Sequence, residues 1–103
     1  MMSRGLEVFD IENQKALAVP PLLRAIVRQN KVIRLYTLPG ALAVVLDGGP
    51  AASSKDERRV LICDAKTLNP LTVLHSATLV RHMSGAKNYI AIVESERISV
   101  FSR

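Results

Sequence analysis

The chain has 103 residues, the size of a single domain and small enough that folded chains of this length often bury further surface against partners. Hydrophobic residues make up 49% but aromatics only 4%, so a core must come from Val, Leu, Ile and Ala; 14 Lys and Arg against 9 Asp and Glu leave a formal +5, suited to a phosphate backbone or an acidic partner. A single cysteine, Cys63, excludes an internal disulfide framework, and apolar runs far shorter than the roughly 20 residues of a membrane span, with no secretory leader pattern, predict a soluble intracellular protein.

Residues 1–19 mix charges with Leu6, Val8, Phe9 and Ile11 and read as an N-terminal arm. Pro20 and Pro21 then set a helix start, because proline suits a first turn whose N–H groups have no partner. Leu22, Leu23, Ile26 and Val27 fall on one face of this helix, Arg24 and Arg28 on another, and Asn30 ends it. Residues 31–36 read as a strand, closed by a turn at Gly40, with residues 41–47 returning antiparallel. The Gly/Ser-rich, mixed-charge stretch 48–59 reads as a solvated insertion, after which residues 60–63 resume the strand and 64–70 turn. Residues 71–83 fit a helix or a strand, and their β-branched Thr72, Val73, Thr78 and Val80 favour strand. The last two apolar runs, 88–93 and 98–101, form a hairpin about residues 94–97, and no internal repeat is evident.

Catalytic and metal motifs are missing. His75 and His82 lack Cys or acidic partners at metal-ligand spacing, no serine sits on a nucleophile turn, and Gly48-Gly49 lacks the Lys-Ser or Lys-Thr of a phosphate loop. A non-enzyme is expected, with no metal, no cofactor, no membrane partner and no small-molecule substrate.

The order of proline-started helix, strand, glycine turn, strand ending in Asp64, Leu68-Asn69, and a terminal strand pair resembles the Sm and Sm-like RNA-associated proteins over residues 20–102. That resemblance implies a mainly β chain: a short N-terminal helix followed by a five-stranded, strongly bent antiparallel sheet, an open barrel, over residues 20–103 with the insertion at 48–59. It also implies a subunit of a heteromeric ring in the nucleus that binds a uridine-rich single-stranded segment of small nuclear RNA in pre-mRNA splicing particles.

Carried over by position, Asn69 reads a base edge, Lys66 and Thr67 stand where a base stacks, Asp64 orders the loop, and Ser95 and Arg97 line the final turn. The ring neighbours, other Sm-like subunits, pair through the last two strands by Tyr89, Ile90, Ile92, Ile98 and Val100, since edge strands carry unpaired N–H and C=O groups. Departures from the family pattern are an extra residue between Asp64 and Asn69, no aromatic at the stacking position, and Glu94-Ser95 in place of Arg-Gly. Restoring a cation by Glu94→Arg is therefore expected to raise RNA affinity. The alternatives are an assembly or scaffold protein that keeps the fold for protein pairing without RNA readout, a cytoplasmic Sm-like ring in RNA decay, and a small basic DNA-binding regulator.

Overall fold

A computed structural model describes residues 8–10 and 15–103 of the chain. Strands β1 (Val8–Asp10) and β2 (Lys15–Leu17) pair as a short antiparallel hairpin, and the rest of the expected arm over residues 1–14 lies outside the described residues. Helix α1 spans Pro21–Gln29, with proline in its first turn and Asn30 at its end, whose side chain and backbone N–H both donate to the Ile26 carbonyl. Leu23 and Val27 are buried and Ile26 packs beside them. Leu22, expected on the same face, is 61% exposed, because the buried stripe of this short helix is narrower than its apolar sequence.

Among the described residues, seven further strands form two antiparallel meanders. The first holds β3 (Val32–Leu38), β4 (Ala41–Asp47), β5 (Arg58–Asp64) and β6 (Pro70–Ser76) in chain order. The second holds β7 (His82–Gly85), β8 (Tyr89–Val93) and β9 (Ile98–Ser102). The chain is therefore mainly β with a short N-terminal helix. It is not the expected single five-stranded bent sheet, because residues 71–83 do not form one strand. That run breaks after Ser76, and residues 77–81 carry the chain to a different sheet. The insertion is also shorter than expected, since Arg58 and Arg59 already pair with Asp47 and Leu46 in the β4–β5 ladder.

Period-two alternation divides the core. Ala43, Val45, Val60 and Ile62 point from β4 and β5 toward Met83, Ile90 and Ile92 of the second meander, with Tyr36, Leu74, Val80 and Phe101 packed at the margins. The intervening residues Val44, Leu46, Leu61 and Cys63 point the other way, onto Leu23 and Val27 of α1. The result is a stack of helix, four-stranded sheet and three-stranded sheet. First strands meet at the stack's seam, where β3 approaches β7.

Cys63 sits in the helix-side core with no exposed surface, and burial pushes its thiol up to about 11. Because the thiolate is the reactive form, a disulfide reagent such as DTNB at pH 8 is expected to label native protein at least about tenfold more slowly than protein in denaturant. Equal rates would mean that α1 does not cover this sheet.

Candidate interaction surfaces

The sequence-predicted residues fall at two opposite ends of the sheets. At one end, β5 finishes in Asp64, whose Oδ1 accepts the backbone N–H groups of Lys66 (2.7 Å) and Thr67 (3.0 Å), while its backbone N–H donates to the Asn69 carbonyl (2.9 Å). Hydrogen bonds from the Thr67 and Lys66 backbones hold the Asp64 carboxyl below its usual range. The chain closes through Leu68, the one non-glycine with positive φ among the described residues, at 63°. Its conformation costs roughly 1–2 kcal/mol, offset by burying the side chain in the helix-side core. Lys66, Thr67 and Asn69 stand exposed on this rigid turn. The turn is braced by the β3–β4 turn, where Gly40 at φ 72° accepts the Ala65 N–H on its carbonyl. Nearby, Arg103 binds the carbonyls of Pro39 and Ala86, both at 2.7 Å.

At the other end lies the β8–β9 turn. Asp64 and the 94–97 turn sit at opposite ends of the ladder, separated by the seven residues of β5, about 20 Å at the usual strand rise. The structure thus does not bring Ser95 and Arg97 together with Asp64, Lys66, Thr67 and Asn69. Ser95 and Arg97 instead border a cleft of about 470 Å³ shared with Asp56, Glu94 and Glu96, whose net negative lining disfavours phosphate.

Glu94, read from sequence as an anion in place of the cation that would meet RNA, is buried. Its Oε2 accepts from Ser76 Oγ at the end of β6 (2.8 Å), and its Oε1 from the Ser99 hydroxyl of β9 and from Arg97 Nε (3.3 Å). Burial opposes its charged form, but the hydrogen bonds from Ser99 and Ser76 and the Arg97 charge outweigh that and hold its carboxyl below the usual range. The carboxylate therefore ties the two sheets together at this end.

No family model, curated protein or solved structure matches the chain.

The expected subunit interface is split by strand parity. Ile90 and Ile92 are 4% and 1% exposed and belong to the inter-sheet core, so they cannot meet a neighbour. Tyr89, Ile98 and Val100 lie on the opposite, outward face and are exposed. On the first sheet Leu71 and Val73 of β6 are likewise exposed. Among the described residues, strands β6 and β9 each have one hydrogen-bonded neighbour.

A further cluster escaped sequence reasoning. At the β3–β7 seam the Arg34 guanidinium lies 5.5 Å from the Tyr36 ring centroid, and His82 meets the same ring edge-on at 5.6 Å. The Tyr36 hydroxyl donates to the Arg81 carbonyl at 3.4 Å. The only sequence signal is the i, i+2 spacing of Arg34 and Tyr36, and nothing local links it to residues 81–82. Among the described residues no group of three or more His, Cys, Asp and Glu is placed to hold a metal, and no helix is long and apolar enough to cross a membrane.

Proposed function

We propose that this protein is an assembly module that works by pairing its β-sheets with protein partners, without reading RNA bases. The observation that carries this reading is the chemistry of its free edges. Solitary edge strands are normally guarded by charge, bulges or proline within the strand. Here β9 reads Ile-Ser-Val-Phe-Ser, with no Asp, Glu, Lys, Arg or proline and with Ile98 and Val100 exposed, whereas β6, Pro-Leu-Thr-Val-Leu-His-Ser, opens on Pro70 beside a break in register but is likewise uncharged, with Leu71 and Val73 exposed. The architecture supports the same reading. Consecutive antiparallel meanders stacked face to face, with their first strands adjacent, are the arrangement of neighbouring blades in β-propellers and related radial repeats, folds that commonly serve as binding platforms.

Tagged protein recovered from its own cells is expected to carry a defined set of proteins that survives nuclease treatment and is lost when Leu71 and Val73 are both changed to lysine, positions exposed enough to leave the fold intact. Partners that all disappear with nuclease would sink this reading.

That result would favour the second one, a divergent Sm-like ring subunit on uridine-rich small nuclear RNA. Its support is the exposed Lys66-Thr67-Asn69 turn, together with the Arg34–Tyr36–His82 cluster, whose cation and aromatic chemistry suits single-stranded nucleic acid.

A further inference from the structure

The two meanders repeat one another, and the repeat identifies what belongs on the exposed face of the second. In the first sheet, the cross-strand pairs Ala43↔Ile62 and Val45↔Val60 form the surface buried against the second sheet. In the second sheet, the pairs at matching positions of β8 and β9 are Ala91↔Val100 and Val93↔Ile98. The same small-plus-aliphatic pattern recurs, but here it faces outward, with Ile98 and Val100 at 65% and 64% exposure.

Both sheets also share the opposite face. Leu42, Val44, Leu61 and Cys63 of the first correspond to Ile90, Ile92, Ser99 and Phe101 of the second, each set covered by the preceding layer, α1 in one case and the first sheet in the other. The stack is therefore directional. Its α1 end is capped, while its β7–β9 end presents a surface built to be covered. The outward positions of β7, β8 and β9 hold no Asp, Glu, Lys or Arg, in a chain of formal charge +5. The first sheet has a fourth strand, β6, paired to β5, and among the described residues the matching edge of β9 has none.

We propose that the outer face of the β7–β9 sheet, with the free edge of β9, docks an antiparallel β-meander of a partner: one strand pairs with β9 as β6 pairs with β5, and the following sheet covers Ala91, Val93, Ile98 and Val100 with large aliphatic side chains. This rests on the assembly reading and names its surface. A second copy of the chain cannot supply that cover, because the residues that cover the equivalent surface, Met83, Ile90, Ile92 and Phe101, are already packed inside each copy.

The test uses the full chain with a second copy of residues 69–103 joined after Arg103, a probe that contains both the missing strand and the covering sheet. Hydrogen exchange of the β9 amides is expected to slow at least about tenfold relative to the unextended chain, with a higher Tm, and both gains are expected to vanish when Ile98 and Val100 of the first copy are changed to lysine. An extension that stays unprotected, or protection indifferent to those two lysines, would overturn the proposal. So would a dimer of the unextended chain that the two lysines abolish, which would assign the face to a second copy. Failure here alongside nuclease-resistant partners lost through Leu71 and Val73 would leave the assembly reading standing on the β6 edge alone.

Discussion

Glu94→Ala is expected to destabilise the protein by about 2–4 kcal/mol, since it removes a buried carboxylate that accepts from Ser76, Ser99 and Arg97 and leaves the Ser99 hydroxyl facing a void, while Ser76 keeps only the Thr78 carbonyl. Glu94→Arg is expected to cost at least as much. The longer cation would have to enter a site that is 4% exposed and shaped for an anion beside Arg97, so the substitution disrupts the sheet contact before it can offer charge to RNA. Chemical denaturation of the three proteins checks both.

The pH dependence carries a defined sign. The folded-state carboxyls of Glu94 and Asp64 are both depressed, so their stabilisation is complete above the ordinary carboxylate range and is lost as pH falls through the lower folded values. Stability is therefore expected to be level from about pH 6 to 7 and to decline below about pH 4. Glu94→Gln should start lower and decline less steeply. An unchanged acid limb in Glu94→Gln would show that this carboxylate does not join the sheets.

Ile92→Ala should cost about 3–4 kcal/mol, whereas Ile98→Ala should stay within about 1 kcal/mol, although both are isoleucines in adjacent strands of the same hairpin. Ile92 is 1% exposed between the two sheets, and its loss opens a cavity among Ala43, Val60 and Met83 that closely packed strands cannot collapse to fill. Ile98 projects into solvent from β9. Denaturant midpoints that put the two costs in the reverse order would mean that β8 and β9 present the opposite face to the core, and the outward docking surface would fall with that orientation.

Local chemistry determined much of the secondary structure by sequence alone. Pro20-Pro21 and the Leu23, Val27 spacing start and orient α1, Pro39-Gly40 closes the β3–β4 turn, and alternation in residues 88–101 marks the last hairpin. Asp64 could be recognised as a loop-ordering residue because its partners are two and three residues away. Parity was also readable in principle: Tyr89 and Ile90 are consecutive in a strand and so cannot share one face.

What only the tertiary structure decided depends on contacts distant in sequence. The break after Ser76 sends one apparent strand into two sheets, and it is stabilised by Glu94, whose hydrogen-bond partner lies 18 residues earlier, beyond the reach of any local pattern. The repeat of the two meanders is hidden because residues 48–57 lengthen one β connection and residues 94–97 shorten its counterpart, so sequence spacing drifts while strand pairing keeps the register. Which of two alternating apolar faces becomes core, and which is left open, was likewise settled by the layer packed against it. Hydrophobic burial is non-directional, and period-two alternation divides residues between faces without saying which face another layer will cover.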